Sequence, residues 1–145
     1  MWKFQLYILT RPKTLRMART LVRRAVEAKG ASERDALDIE VAVGEILTNA
    51  YVHAYNRGVG PLDLRIAFDG ERFMIEVRDH GKGITSIPRM SPPSGPGLGL
   101  QVARRLMDEF EILRPERRGT AVRMVKRLLK SPRATEPQET PKPLP

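Results

Sequence analysis

Glu45, Asn49 and His53 stand four residues apart in the run Glu45-Ile46-Leu47-Thr48-Asn49-Ala50-Tyr51-Val52-His53. At about 100° per residue, Asn49 falls about 40° and His53 about 80° round a helix from Glu45. The three side chains therefore make one narrow stripe, climbing about 6 Å between members. Ala36, Ile39, Val43, Leu47, Ala50 and Ala54 fall on the neighbouring face and read as core. An acid, an amide and an imidazole thus line the edge of a buried face, where polar groups must find partners. The plainer alternative is a solvated helix face that happens to carry these three residue types.

Three glycine-bearing elements accompany the stripe: Asp79-x-Gly81-x-Gly83 at a strand end, Gly95-x-Gly97-x-Gly99 at a helix start, and Gly119-Thr120 at a hairpin. Taken singly, the first two read as turns and the third as a strand start. Glycines before a helix also let backbone N–H groups approach an anion, which the helix N-terminus favours. The second element is not the dinucleotide-binding fingerprint, because no strand runs into it and the spacing differs. Nor is it a P-loop, since the Gly-Lys-Ser/Thr ending is missing.

The elements that position these residues follow from periodicity. Residues 3–9 read as a strand, and Arg11-Pro12-Lys13-Thr14 as a turn with Thr14 as N-cap. Leu15, Ala18, Val22 and Ala25 repeat at helical spacing until Gly30 closes the helix. Ser32 with Asp35 three residues on resembles a capping box and opens the long helix that carries Glu45. That helix is expected to end near Asn56, because Gly58, Gly60 and Pro61 follow. Leu62 to Phe68 and Phe73 to Val77 alternate as strands, and Asp69-Gly70 between them predicts an antiparallel hairpin. Residues 84–97 lose all periodicity and read as a lid. A short helix opens at Gly99 with Leu98, Val102 and Leu106 on one face. Phe110 to Leu113 and Thr120 to Arg127 complete the strands. From Ser131 to Pro145, prolines 132, 137, 141, 143 and 145 and the near loss of apolar side chains predict a disordered tail.

The chain has 145 residues, no cysteine and two histidines. That allows one domain over residues 1–130, with no disulfide framework and no zinc centre built from the histidines alone. No apolar run approaches the ~20 residues of a membrane span. The first nine residues are too short and too polar for a signal peptide, so a cytoplasmic protein is expected. The net charge of +9 comes from arginines spread along the chain, among them Arg16, Arg19, Arg23, Arg104, Arg105 and Arg123. It favours an anionic ligand or acidic partner. No zinc-finger spacing or aromatic stacking motif accompanies it, so direct nucleic-acid binding is not expected.

Taken together and in order, Glu45-x3-Asn49, Asp79-x-Gly81-x-Gly83, the long linker, Gly95-x-Gly97-Leu98-Gly99-Leu100 and Gly119-Thr120 resemble the nucleotide site of the superfamily of gyrase-type ATPases, heat-shock chaperones and histidine kinases. Within it the chain resembles the bacterial anti-sigma factor serine/threonine kinases over about residues 4–128. The context Glu45-Ile46-Leu47-Thr48-Asn49-Ala50-x-x-His53-Ala54-Tyr55 and the run Arg105-Leu106-Met107-Asp108-Glu109-Phe110 belong to that likeness. The resemblance implies an α+β two-layer sandwich, with a mostly antiparallel sheet of about five strands and three helices on one face. It implies ATP and Mg²⁺ as cofactors. Asn49 would bind the metal through its amide oxygen, and Glu45 would act as base for the attacking hydroxyl. Asp79 would accept from the adenine amino group, with Thr120 beside it and Gly81 and Gly83 letting backbone approach the base. Gly95, Gly97, Leu98, Gly99 and Leu100 would bring amides to the phosphates.

His53 would touch phosphate or hold the helix against the lid; a packed, hydrogen-bonded histidine is the alternative. Lys82, Arg89 and Arg104 rank below these as phosphate or partner contacts. The implied partners are a sigma factor, held inactive, and an anti-anti-sigma antagonist phosphorylated on serine, with the kinase acting as a homodimer. Two alternatives stay open: a switch-type serine kinase acting on a scaffold protein, and an ATP-binding anti-sigma module without kinase activity. Histidine kinases of the superfamily carry asparagine or histidine where Glu45 stands, and lysine or arginine where His53 stands. They also need a phosphoacceptor helix pair, for which these residues leave no room.

Overall fold

The computed structural model describes residues 1–81, 98–113 and 118–128. The expected lid, the tail, Lys82, Gly83, Arg89, Gly95 and Gly97 lie outside the described residues. Five strands, β1 (Trp2–Leu9), β2 (Pro61–Phe68), β3 (Arg72–Asp79), β4 (Glu109–Leu113) and β5 (Thr120–Arg127), form one sheet in the order β1-β2-β3-β5-β4. Every neighbouring pair is antiparallel. The helices are α1 (Pro12–Ala28), α2 (Glu33–Asn49) and α3 (Leu98–Leu106). This is the α+β fold that the motifs imply.

Strand alternation divides the sheet into two faces. Leu62, Leu64 and Ile66 of β2, Phe73, Ile75 and Val77 of β3, and Val122 and Met124 of β5 are buried in one cluster with the helices. From α2 that cluster takes Ala36, Ile39, Val43 and Leu47 as expected, with Ala42 and Ile46 added; Ala50 joins it from the turn that follows, while the expected Ala54 is only half-buried. Ile39 and Leu47 are fully buried, so truncating either to alanine costs about 2–5 kcal/mol. The other face is polar. Its central row runs Gln5, Arg65, Glu76, Arg123, Glu111 across the register. Arg123 pairs with Glu76 at 3.1 Å and Arg65 with Asp63 at 3.0 Å, so part of the basic charge is matched on the sheet itself.

Local differences from the sequence reading have physical causes. Helix α1 begins at Pro12, with Arg11 in the cap position and no side-chain cap. Proline suits the first helical position because its φ is preset and its missing N–H needs no partner. Thr14 instead donates its hydroxyl to the carbonyls of Leu9 (2.7 Å) and Arg11 (3.1 Å). Val26, rather than Ala25, ends the buried stripe of α1. The Ser32 cap forms as expected, its Oγ accepting from the Asp35 amide at 3.1 Å. On α3 the buried positions are Leu100 and Ala103, while Leu98 is exposed. The helix carrying Glu45 changes character after Asn49: residues Ala50–Ala54 form a π-helical turn, and the Tyr55 amide bonds the Ala50 carbonyl at 3.1 Å. Asn56 and Arg57 then take positive φ, 49° and 62°, and turn the chain toward β2.

Candidate functional site

The core-facing rows of the sheet stay apolar until they reach one rim. On β3, Phe73, Ile75 and Val77 are followed on the same face by Asp79; on β5, Met124 and Val122 are preceded by Thr120. Asp79 and Thr120 are direct partners in the β3–β5 register. Both are buried, at 8% and 3% exposure, so a carboxylate and a hydroxyl sit where the pattern would otherwise place two more core side chains.

Asp79 is held from behind. Its Oδ1 accepts from the Gly81 amide at 3.1 Å and the Thr120 amide at 3.3 Å. Burial pushes its carboxyl above the ordinary aspartate range, and these two N–H bonds pull against that rise. Gly81 lies against the Ala54 carbonyl so closely that any Cβ would collide with it. Gly119 has φ +119°, and a side chain there would strike the Asp79 carbonyl. A bulkier residue at 119 would force apart the strand ends that frame Asp79, and one at 81 would push the chain after Asp79 away from the end of the long helix.

Asn49, His53, Ala50, Ala54 and Ile46 from the long helix meet Val77, Asp79, Thr120 and Val122 from the sheet around one narrow cleft. The structure thus brings together Asn49 and His53 of the polar stripe with Asp79 and Thr120, which lie 26 to 71 residues away along the chain. His53 is exposed, which removes the packed-histidine alternative. Glu45 is half-buried one turn before Asn49 and does not line this cleft. Its carboxylate abuts Gly99 in the first turn of α3, where any Cβ would collide with Oε2. Leu98 and Gly99 open α3 as expected, and Leu100 anchors it by burial. Arg104 lies over the Phe110 ring at 5.4 Å.

The residue that sequence reasoning passed over is Tyr55. Its hydroxyl donates to the Pro61 carbonyl at 2.6 Å and accepts from the His80 amide at 2.7 Å, next to Asp79. Its place in the run His53-Ala54-Tyr55 was the available signal. A roomier groove, about 330 Å³, opens on the polar face of the sheet around Ala67 and Met74, bordered by Lys3, Gln5, Arg65, Glu76 and Arg123. It contains none of the motif residues and backs onto the opposite side of the sheet from Asp79. Among the described residues, no group of three or more His, Asp or Glu side chains could hold a metal ion. No described helix is long and apolar enough to cross a membrane.

Comparison with known proteins agrees with this geometry. Residues 8–126 match the histidine kinase-like ATPase domain family. The anti-sigma F factor of Thermoanaerobacter sp. (strain X514) is 31% identical over 130 residues, which cover 84% of this chain and 91% of that protein. The anti-sigma F factor of Caldanaerobacter subterraneus subsp. tengcongensis is also 31% identical over 130 residues, with the same coverage. The crystal structure of the RsbU and RsbW domains of Rv1364c from Mycobacterium tuberculosis superposes with a TM-score of 0.66 at 22% identity, over 88% of this chain and 33% of that one. With 119 of its residues inside the family's span and its cleft residues drawn from the segments that the motifs mark, the chain belongs to the histidine kinase-like ATPase domain family, on the branch that holds the anti-sigma F factors.

Proposed function

We propose that this protein is a cytoplasmic anti-sigma factor with serine kinase activity. It binds Mg-ATP, sequesters a sigma factor, and phosphorylates a serine of an anti-anti-sigma antagonist, acting as a homodimer. The observation that supports this reading best is the meeting of Asn49, His53, Asp79 and Thr120 around one cleft, with Glu45 one turn before Asn49 and its carboxylate against the start of α3. The anti-sigma F relatives, matched over nine-tenths of their length, support the regulatory side of it.

The residues present fit the nucleotide and its metal. Asp79 offers a buried acceptor beside backbone that glycine keeps bare at Gly81, which suits the edge of a purine carrying an amino donor. The described walls enclose only about 20 Å³, far below the roughly 300 Å³ or more of a complete ligand pocket. Asn49 supplies one hard oxygen, and Mg²⁺ asks for few protein ligands because phosphate and water complete its shell. When bound, the metal neutralises charge on the triphosphate. Glu45 would accept the proton of the attacking serine hydroxyl on a carboxylate oxygen, and Asn49, one turn on along the same helix, would hold the metal. Gly99 lies against the Glu45 carboxylate, so the first backbone amides of α3 stand beside that base.

Two measurements test the reading together. Calorimetry should detect Mg-ATP binding, and a pull-down from lysate with and without ATP should retrieve a sigma factor and an antagonist that gains phosphoserine only when ATP is present. Absence of nucleotide binding at millimolar ATP would overturn it.

A further inference from the structure

We propose that Tyr55 is a positioning residue that aims the Asp79 carboxylate at the base; this rests on the nucleotide-binding reading above. In the β2–β3 register Leu62 faces Asp79, so Pro61 would face His80 as the next pair. The Tyr55 phenol stands in that gap. Its Oη donates to the Pro61 carbonyl at 2.6 Å and accepts from the His80 amide at 2.7 Å, making a side-chain rung where the backbone ladder stops. The strands are thereby held apart at the residue after Asp79, and the chain bearing Asp79 leaves the sheet on a course that Tyr55 sets.

The tyrosine is itself fixed on its other side. Its ring covers Gly60, where any Cβ would collide with the ring carbons. Gly60 is tied to the end of β1: its amide donates to Thr10 Oγ at 2.8 Å, and the Thr10 amide donates to its carbonyl at 2.8 Å. Thr10 Oγ donates in turn to the Gly58 carbonyl at 2.8 Å. Ala54, the residue before Tyr55, receives Gly81 against its carbonyl. Residues 54 and 55 thus grip His80 and Gly81 together, and the Gly81 amide is one of the two donors that orient Asp79. The phenol touches no proposed ligand atom; it acts through Asp79.

The test compares ATP with inosine triphosphate, which carries a carbonyl in place of the adenine amino group. Wild-type protein should prefer ATP by at least about tenfold, since a site built to accept from a donor rejects the analogue without it. Tyr55→Phe should weaken ATP binding about tenfold while leaving inosine triphosphate nearly unchanged, so the preference shrinks and kcat at saturating ATP stays put. In the Asp79→Asn background the same change should leave the ratio where Asp79→Asn alone puts it. A general structural lesion would lower both affinities together. Should Tyr55→Phe not fold, Gly60→Ala, which pushes on the ring without removing the hydroxyl, should shrink the ratio likewise. An undiminished ATP preference in a folded Tyr55→Phe or Gly60→Ala protein overturns the role of Tyr55. A wild-type protein that binds both nucleotides equally overturns the contact of Asp79 with the adenine amino group, and with it the role of Tyr55; one that binds neither overturns the nucleotide-binding reading instead.

Discussion

Replacing Asp79 by asparagine separates two properties that the carboxylate combines. In the ligand-free protein, burial holds its pKa above the ordinary value of 3.8. A group raised in this way contributes stability that is complete below its unfolded pKa and lost as pH climbs through the folded one. Above the folded pKa that contribution is gone and the fold keeps a buried charge. Asparagine carries no charge, and its Oδ1 can still accept from the Gly81 and Thr120 amides that now hold the carboxylate at 3.1 and 3.3 Å. The apo melting temperature of Asp79→Asn should equal or exceed that of wild type at pH 7, with the margin narrowing as pH falls toward 3.8. Nucleotide affinity should move the other way. The variant gives up a hydrogen bond to a charged acceptor, a loss of about 1.5–3 kcal/mol, or roughly 10- to 150-fold in Kd. Its amide nitrogen can also face the adenine amino group donor to donor. Calorimetry with Mg-ATP and melting curves between pH 4 and 8 measure both effects. Unchanged affinity removes Asp79 from the site; a melting temperature several degrees below wild type at pH 7 refutes the burial argument.

Other perturbations probe the remaining parts. Glu45→Ala should leave Mg-ATP binding largely intact and slow single-turnover phosphoryl transfer about 10²-fold or more if the carboxylate is the base; wild-type rates would refute that role. Asn49→Ala should make ATP affinity nearly independent of Mg²⁺, so a titration that still responds to the metal as wild type does would exclude Asn49 as its ligand. Lys126, buried at 9% exposure, reaches the Leu106 carbonyl at 2.6 Å and Asp38 at 3.2 Å. Lys126→Met should cost about 1–3 kcal/mol of unfolding free energy by leaving both acceptors unmatched, and an unshifted urea midpoint would show the contacts to be idle. Truncation after Lys130 should leave the melting temperature almost unchanged; a drop of several degrees would show that the tail docks.

Much of this fold could be read before the structure because local rules and tertiary packing agree. Period-two alternation with Asp69-Gly70 between the runs gave β2 and β3 and their antiparallel pairing. The spacing of Ile39, Val43 and Leu47 gave the buried face of α2, and Ser32 gave its first turn. Other features leave no local trace. The π-helical turn depends on one carbonyl choosing a donor five residues on instead of four, and Ala50-Tyr51-Val52-His53-Ala54 carries nothing that announces it. Its cause is tertiary: Gly81 against Ala54 and the Tyr55 bridge both demand a fixed end to the helix. Strand order was equally hidden, since alternation tells which face a residue takes but not that β5 inserts between β3 and β4. Thr14 does not cap α1, because a hydroxyl near a helix start satisfies carbonyls as readily as amides and Pro12 at the first helical position leaves no N–H there to cap.

The same alternation shows why the cleft lies where it does. On β5 the core-facing row is apolar in the middle and polar at both ends, with Thr120 opposite Asp79 at one rim and Lys126 opposite Phe73 at the other; on β3 only the Asp79 end is polar. The two polar ends are treated differently. Lys126 is closed off by Asp38 of α2 and the last carbonyl of α3, so that end fastens the helices to the sheet. Asp79 meets backbone amides on one oxygen and faces the cleft shared with Asn49 and His53. Its carboxylate keeps the apolar surroundings that raise its pKa, and those surroundings strengthen any hydrogen bond it makes to a ligand. A surface aspartate would bind adenine weakly, and one sealed like Lys126 would not reach it. Ending the apolar rows one pair early at this rim, with Tyr55 bridging the strands beyond it, gives the acid the depth that the proposed recognition of a purine edge requires.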